Sequence, residues 1–191
     1  MRILFAGASG VLGRNTLPHL RGHEVTGLTR SPEKLELLRA LGVEAAVCDV
    51  YDLDALRRLA RAVQPEVVVN FVTDLASRSS EANSRVRREG GKNLLSAATA
   101  TGAGRLVTES VGFTPDGDAG AAVHELEDAS RAFAGASLIL RFGRLWGPGT
   151  LYAASPGPPA VHVDRAGAEA ARLIAQAPAG TYVVTDPGSE E

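Results

Sequence analysis

The chain has 191 residues, 45% of them hydrophobic, which is enough for one sizeable core and argues against a second one. Its 20 Lys and Arg residues nearly balance 22 Asp and Glu residues, and the formal charge of -2 argues against a nucleic-acid binder, which normally carries a strongly basic face. The sequence shows neither an apolar run of membrane-spanning length nor a charged, cleavable leader, so we expect a cytoplasmic protein with no membrane partner.

Strand-like apolar segments alternate with helix-like segments along the chain. The predicted strands cover residues 2–6, 24–28, 44–48, 67–71, 105–108, 138–140 and 182–184. The predicted helices cover residues 14–21, 32–41, 53–62, 80–100, 122–134 and 165–176. This alternation is typical of a parallel α/β sheet, so we expect a single domain over residues 1–191. The Gly- and Pro-rich stretch 146–159 predicts a loop near the carboxyl ends of the strands, and residues 187–191 predict a frayed tail.

The first predicted strand leads directly into a glycine-rich turn formed by Gly7, Ala8, Ser9, Gly10, Val11, Leu12 and Gly13. Gly7 can take a tight turn, Gly10 lets the main chain approach a pyrophosphate, and Gly13 lets the next helix pack closely on the sheet. The N-terminus of that helix then faces the phosphates. Ordinary strand-to-helix turns also contain such glycines. The position of the turn between an apolar strand and a helix favours a dinucleotide site.

The end of the second predicted strand is where the adenosine ribose of a dinucleotide is expected. An acidic side chain there would favour NAD. This chain has Leu28, Thr29, Arg30 and Ser31 instead, with no carboxylate before Glu33. Because a guanidinium fork suits a phosphate in charge and geometry, Arg30 predicts NADP, with NAD as the less favoured cofactor. The alternative is a solvated arginine beside a helix N-cap at Ser31.

The ordered segments GASGVLG, LTRSPEKLELLRALGVEAAVCDVYD, VVVNFVTD, GGKNLLSAATATGAGRLV and LILRFGRLWGPGT extend this pattern over most of the chain. Together they resemble the NAD(P)-binding short-chain dehydrogenase/reductase superfamily, and within it the atypical and extended, epimerase-like branches. The resemblance covers residues 1–149 and resumes at 161–186. It implies an α/β Rossmann-type doubly wound parallel sheet of about seven strands, with a much reduced C-terminal substrate region and a substrate-side loop at 143–164.

The same resemblance implies specific cofactor contacts. They are Ala8, Ser9, Gly10, Val11 and Leu12 at the pyrophosphate, Arg30 at the 2′-phosphate, Asp49 and Val50 at the adenine, and Phe71, Val72 and Thr73 near the nicotinamide ribose. The Asp49 carboxylate can accept a hydrogen bond from the exocyclic amine of adenine, but an N-cap or turn aspartate before Leu53 is an equally good interpretation. Residues 71–73 have an alternative too, as the ordinary end of a strand, and Asn70 could orient that turn.

The chain departs from the superfamily at the catalytic positions. Active members use a Tyr-x-x-x-Lys pair for proton transfer, in which the lysine lowers the tyrosine pKa and binds the nicotinamide ribose. The resemblance places Ala119 and Val123 at these two positions, and both are chemically inert. The long substrate-binding insertion that usually follows Gly149 is reduced to residues 150–160. We therefore expect a pocket that is open and shallow or that a second subunit completes.

Other polar groups near the strand ends could replace the missing pair. Ser110 is the nearest counterpart of the superfamily serine and could polarise a substrate carbonyl, with a plain strand-end serine as the alternative. The candidate acids are Asp74, Glu109, Asp116, His124 and His162. We single out His124 because an imidazole changes charge near neutral pH, although a solvated histidine in a first helical turn is the alternative. No grouping of side chains has metal-ligand spacing, so we predict no metal.

Hydride transfer needs only a nicotinamide held near an electrophile, and the proton can come from water or another acid. We therefore expect an NADP-dependent reductase of a small carbonyl or polyketide-like substrate, with Ser110 and His124 as polar helpers. Trp146 is a candidate wall for an aromatic substrate, or else a loop anchor. Two alternatives stay open: a non-redox lyase, isomerase or cyclase on the same fold, and a non-catalytic dinucleotide-sensing partner protein.

Relatives often dimerise by packing two helices of each subunit together, which implies a homodimer through helices 80–100 and 122–134. In the first helix we expect Val86, Leu94, Leu95 and Ala98 to pack on the sheet. The opposite face would then be solvated or partner-facing and would carry Arg85, Arg87, Arg88 and Lys92. We expect these basic residues to complement a cluster across the interface formed by Glu125, Glu127 and Asp128.

Overall fold

The computed structural model describes residues 1–188 and contains a seven-stranded parallel sheet. The strands, in chain order, are β1 (Arg2–Ala6), β2 (Glu24–Thr29), β3 (Glu44–Val47), β4 (Val67–Asn70), β5 (Arg105–Val111), β6 (Ala136–Phe142), β7 (Arg144–Trp146), β8 (Ala160–His162) and β9 (Gly180–Val184). The sheet has the order β3-β2-β1-β4-β5-β6-β9, while β7 and β8 form a separate parallel pair. The predicted Rossmann-type doubly wound sheet is confirmed.

Helices connect these strands on both faces of the sheet. The α-helices are α1 (Val11–Thr16), α2 (Leu35–Ala40), α3 (Leu53–Val63), α4 (Ser80–Arg85), α5 (Gly91–Ala100), α6 (Gly117–Arg131) and α7 (Val163–Gln176). A π-helical turn at Val86–Gly90 joins α4 to α5, and short 3-10 turns lie at Leu17–His19, Pro32–Lys34 and Leu75–Ser77. The continuous helix expected at 80–100 is therefore interrupted by a wider turn.

The central strand β1 separates two apolar layers. Ile3 and Phe5 pack into the layer that contains Leu173 of α7, whereas Leu4 packs into the layer that contains Leu56 of α3. The three β1 side chains are fully buried. Because successive side chains of a strand point to opposite faces, a strand that is apolar on both faces requires helices on both sides of the sheet.

Two helix boundaries differ from the prediction for identifiable reasons. The helix expected at 14–21 begins at Val11 and passes into the 3-10 turn at Leu17–His19, where Pro18 has no N–H to donate. The helix expected at 122–134 is α6, which begins at Gly117 and ends at Arg131. Its start was missed because glycine usually marks a loop, but a Cβ at Gly120 would overlap the Pro115 carbonyl oxygen. That glycine lets the first turn of α6 pack against the preceding loop.

The predicted loop at 146–159 starts inside strand β7, so its first residue is not loop. The indole Nε1–H of Trp146 donates a 2.8 Å hydrogen bond to Asp186 Oδ2, and the backbone N–H of His162 donates a 3.0 Å bond to the same oxygen. The Trp146 ring also meets the His162 ring edge to face, at 4.5 Å between centroids. Asp186 thus ties the loop to the chain beyond β9, and Trp146 serves as an anchor.

Several charged residues of the helices expected to form a dimer are paired within one chain. Arg88 contacts Asp118 at 2.7 Å and Glu125 at 3.0 Å, so the π-helical turn is fastened to α6. Arg131 contacts both Glu127 and Asp128. The pairing of these carboxylates across a dimer stays a prediction. Within residues 1–188, no helix combines the length and the apolar character needed to cross a membrane.

Candidate functional site

The turn between β1 and α1 can be built only with glycine at two positions. Gly7 has φ +86°, and a Cβ there would overlap the carbonyl oxygen of Phe71, because the turn presses against the end of β4. A Cβ at Gly13 would overlap the Gly7 carbonyl oxygen. The N–H of Gly10 donates a 3.0 Å hydrogen bond to that same oxygen, and Gly10 is exposed. The backbone is thus compact on the sheet side and accessible on the other.

This turn lies where the order of the sheet reverses. The chain goes from β1 outward to β2 and β3, then returns to place β4 on the other side of β1. Such a switch point leaves a crevice at the carboxyl ends of the strands. Phe71 borders it through its backbone, whose N–H donates to the Ala6 oxygen, while its ring is buried against Phe5. Beyond it, the Val72 N–H donates to Asn70 Oδ1 at 3.3 Å, and Thr73 is half-buried.

Hydroxyl groups and one arginine surround the end of β2. Ser9 Oγ donates a 3.3 Å hydrogen bond to Thr29 Oγ1, which also accepts the N–H of Ser31 at 3.2 Å. The Arg30 side chain is 63% exposed and lies 3.6 Å from the Asp74 carboxylate. A carboxylate therefore does reach this end of the crevice, although it follows β4 rather than β2. Sequence spacing alone gave no signal for this pairing.

At the expected adenine position, Asp49 has a role within its own turn. Its Oδ1 accepts the Tyr51 N–H at 2.9 Å, while the N-cap of α3 is Asp52, which accepts the N–H of Ala55. Val50 is 9% exposed and packs on the π-helical turn, where a Cβ at Gly90 would lie 2.8 Å from its methyl group. These contacts explain both residues structurally, and their contact with adenine stays a prediction.

Ser110 belongs to a buried ionic network at the carboxyl end of β5. Its hydroxyl donates a 2.6 Å hydrogen bond to Glu127 Oε1, and Glu127 also receives bonds from Arg141 at 2.8 and 2.6 Å and from Arg131 at 2.6 Å. Burial of Glu127 raises its pKa, but the hydrogen bonds from Arg141 and Ser110 outweigh this effect and hold the pKa at about 2. The hydroxyl proton of Ser110 is therefore directed at an ionised carboxylate.

A cavity of about 210 Å³ lies beside this network. It is lined by residues 111–115, by α6 residues that include Gly120, Val123 and His124, and by the Glu127–Arg141 pair. Gly120 has no side chain and Val123 has a short one. Because Val123 occupies the position expected for the superfamily lysine, no long side chain extends into the cavity from that position. His124 is exposed at the cavity, whereas Ser110 reaches it only through Glu127. The structure therefore does not bring the two predicted polar helpers into direct contact.

The remaining candidate acids occupy different settings. His162 is the N-cap of α7, where its Nδ1 accepts the Asp164 N–H at 3.3 Å, so it has a structural role. Asp116 is exposed at the start of α6. Glu109 is half-buried in β5; burial raises the pKa of its carboxyl, and the Arg87 guanidinium acts in the opposite direction. Within the described residues, no group of three or more His, Cys, Asp or Glu side chains could hold a metal ion.

Arg87 is the residue that sequence reasoning missed. It was expected on the solvated or partner-facing side with Arg85 and Arg88, yet it is only 6% exposed. Arg87 lies three residues before Gly90 and seven before Leu94, which are also buried, so the α-helical period already places it on the inward face. Its positive charge, not its spacing, led to the solvated assignment.

Comparison with known proteins agrees with this geometry. The family model described as NAD(P)H-binding matches residues 7–141, which include the glycine turn and Arg141. The chain belongs to this NAD(P)H-binding family. A curated relative, the 3-diazoavenalumate denitrifying reductase of a Streptomyces species, is 34% identical over 188 residues, covering 82% of this chain and 60% of that protein. The chain thus spans less than two thirds of the length of the curated relatives it matches.

Solved structures of the epimerase and dehydratase type share the fold of this family member. A Bacillus halodurans protein described as an NAD-dependent epimerase/dehydratase has a TM-score of 0.83 at 19% identity, covering 97% of this chain and 94% of that one. Bordetella bronchiseptica WbmH, solved with NAD+, has a TM-score of 0.78 at 16% identity and covers 96% of this chain and 75% of its own. At these identities the likeness shows the fold.

Proposed function

We propose that this family member is an NADP-dependent reductase that delivers a hydride to a small carbonyl or polyketide-like substrate without a catalytic tyrosine. In this proposal residues 1–191 form one dinucleotide-binding domain, and the loop at 143–164 covers its substrate side. The observation that carries the proposal is the β1–α1 turn, in which Gly7 and Gly13 leave no room for a Cβ while Gly10 is exposed. The reductase named among its relatives supports the same conclusion.

The residues around the crevice fit a dinucleotide. The backbone from Ala8 to Leu12, exposed at Gly10, would hold the pyrophosphate, because backbone N–H groups at the start of a helix have no partner within it. The turn at residues 71–73 would border the nicotinamide ribose, and Asp49 with Val50 would border the adenine. The reduced nicotinamide supplies the hydride when it is bound. This chain's own residues bind and orient it.

The preference for NADP rests on Arg30. Its guanidinium is exposed and its carboxylate partner Asp74 is 3.6 Å away, a separation at which an exposed pair is weak. A 2′-phosphate carries more negative charge than the Asp74 carboxylate and would replace it as the partner of the Arg30 guanidinium. A ribose with a free 2′-hydroxyl could instead donate a hydrogen bond to Asp74. We therefore expect Asp74→Asn to strengthen NADPH binding relative to NADH, since it removes the competing anion.

Reduction of a carbonyl consumes one hydride and one proton. His124 brings an imidazole to the cavity, and because an imidazole is the side-chain group suited to proton transfer near neutral pH, His124 is the proposed proton donor. Ser110 and Arg141 hold Glu127 ionised, so we assign Glu127 to positioning rather than to proton transfer. A His124→Gln variant should lower the rate of carbonyl reduction and leave NADPH affinity unchanged.

A diazo compound is a second candidate substrate. Replacing a diazonium group by hydrogen breaks a carbon–nitrogen bond, forms a carbon–hydrogen bond with the hydride pair and releases N2, so it consumes no proton. Two observations favour it: the relative is named a denitrifying reductase, and Ala119 and Val123 cannot donate protons. A diazonium substrate should therefore be turned over equally well by His124→Gln, whereas a ketone should not.

The test uses NADPH that carries deuterium at the transferable position. The purified protein is incubated with a panel of small aldehydes, ketones, quinones and aryl diazonium ions, and each product is analysed by mass spectrometry. We expect one deuterium per product molecule and an equal amount of NADP. Product formation with no NADPH consumed would indicate a non-redox enzyme instead, and no reaction together with tight NADPH binding would favour a dinucleotide-sensing protein.

A further inference from the structure

Arg87 is a buried cation. Its residue surface is 6% exposed, and among residues 1–188 other than Ala76 its side chain forms neither a hydrogen bond nor an ion pair. Its neighbours Arg85 and Arg88, in contrast, pair with Glu89 and with Asp118 and Glu125. A guanidinium withdrawn from water is strongly unfavourable unless it is paired and hydrogen-bonded. The side chain therefore lacks a partner that some bound molecule could supply.

The guanidinium is nevertheless reachable. Side-chain nitrogens that are fully enclosed and have no hydrogen-bond partner belong to Arg14, His23 and Arg57. The Arg87 nitrogens are not among them, so they keep a small exposed surface. An arginine sealed inside a core would be a packing fault, but one whose nitrogens keep some exposed surface can bind a ligand that reaches it. The donors of this guanidinium thus retain a small accessible surface.

The position of Arg87 is set by contacts on either side of it along the helix. Upstream, Asn83 Oδ1 accepts the Asp74 N–H at 3.0 Å, which places α4 against the loop after β4. Downstream, a Cβ at Gly91 would lie 3.6 Å from the Asn70 side chain, at the carboxyl end of β4. Arg88 points away to α6. Arg87 therefore lies over the carboxyl ends of the central strands, on the inner side of the helix.

Glu109 is the nearby carboxyl group. Thr108 of β5 pairs with Asn70 of β4, so Glu109 lies one residue beyond the end of β4, at the same edge of the sheet as Arg87. It lies beyond the 4 Å range of an ion pair with Arg87; burial raises the pKa of its carboxyl, and the Arg87 guanidinium acts in the opposite direction. At this separation Glu109 accepts no hydrogen bond from Arg87.

Resting on the proposed reductase, we infer that Arg87 binds a carboxylate of the substrate at the reactive end of the crevice. The phosphates of the dinucleotide are assigned to the β1–α1 turn and to Arg30, which lie toward β1 and β2, whereas Arg87 lies over β4 and β5. A planar guanidinium fork matches a carboxylate with two parallel hydrogen bonds. The substrate class is thus a small organic acid that carries a reducible group.

The test compares benzoate with its neutral isostere benzamide as probes. Wild-type protein is titrated with each, with and without saturating NADPH, and affinity is measured by calorimetry and by the rise in melting temperature. We expect benzoate to bind and benzamide not to bind. Arg87→Gln should weaken benzoate binding by about tenfold or more, the effect of losing a charge-assisted hydrogen-bond pair. Arg85→Gln is the matched control, since it removes an exposed arginine of the same helical segment, and it should change nothing.

Other outcomes overturn the inference. Equal binding of benzoate and benzamide, no benzoate binding to wild type, or undiminished benzoate binding to Arg87→Gln would each contradict it. If Arg87→Gln instead weakens NADPH as much as benzoate, the guanidinium serves a nucleotide phosphate. Arg87→Lys keeps the charge without the fork and should bind benzoate with intermediate affinity, which covers the case in which Arg87→Gln does not fold. Benzoate binding measured without NADPH tests the Arg87 site alone, so failure of this inference can be distinguished from failure of the reductase proposal.

Discussion

The two halves of the crevice are specified in different ways. On the β1–β2 side, the backbone itself makes the site, through a turn in which Gly7 and Gly13 have no room for side chains. On the β5–α6 side, the surroundings of the cavity are made by side chains distant in sequence, such as Ser110, Glu127 and Arg141. A site made of backbone demands particular residues at fixed spacing, whereas a site made of side chains leaves the chemistry open to substitution.

The largest effect should come from the backbone side. Gly7→Ala places a Cβ on the Phe71 carbonyl oxygen and forces an L-residue to φ +86°. We expect a loss of about 3 kcal/mol in the free energy of unfolding, from steric overlap and left-handed strain together. Chemical denaturation measures it. Gly102→Ala is the control, because Gly102 has φ +66° with nothing within 4 Å, so that strain alone should reduce stability by about 1 kcal/mol. Equal losses of unfolding free energy in Gly7→Ala and Gly102→Ala would show that the β1–α1 turn is not tightly packed.

The side-chain half should be less sensitive. Glu127→Gln keeps an acceptor for Ser110 but removes the charge that holds Arg141, which is 36% exposed. We expect a loss of about 2 kcal/mol in unfolding free energy, below the range for a fully buried pair because water reaches Arg141. NADPH affinity should be unchanged, since the network lies away from the glycine turn. A variant as stable as wild type would mean that the network contributes no stability.

The same network predicts an acid-dependent loss of stability. The pKa of Glu127 in the folded protein is about 2, below its ordinary value of 4.5, so the folded state favours the ionised form. Its contribution is full above pH 4.5 and disappears as the pH falls toward 2. Unfolding free energy measured across this window should fall more steeply for wild type than for Glu127→Gln. Parallel curves would assign the acid sensitivity to other carboxylates.

The smallest effect should be found at the loop anchor. Trp146→Phe removes the hydrogen bond to Asp186 Oδ2 but keeps an aromatic ring beside His162. We expect about 1 kcal/mol of destabilisation. Proteolysis of residues 150–160 should become faster, because the anchor of this loop is weakened. A change in NADPH affinity in this variant would contradict the assignment of the loop to the substrate side.

The sequence predicted the fold because its signals are local. Each strand of the seven-stranded sheet appears as a short apolar run, and the glycine turn after β1 is contiguous, so strand order and crevice follow from general rules. The start of α6 was predicted less accurately because Gly120 serves packing rather than termination. Local pattern was sufficient wherever the backbone decides the structure.

The side-chain part of the site could not be predicted in the same way. The hydroxyl of Ser110 is bound to Glu127, and the guanidinium of Arg30 lies beside Asp74. Both facts depend on residues that folding brings together. Arg87 is a different case, because it lies seven residues before the buried Leu94 and shares its face at 3.6 residues per turn. Its charge favoured a solvated position, and the structure shows that it is 6% exposed.

The most direct test of the account is a calorimetric titration of the purified protein with NADPH, NADP, NADH and NAD, repeated with Arg30→Ala. We predict that NADPH binds at least about tenfold more tightly than NADH, and that Arg30→Ala abolishes this difference by weakening NADPH alone. Failure of all four dinucleotides to bind, or an Arg30→Ala variant that binds NADPH as tightly as wild type, would contradict the proposed NADP site.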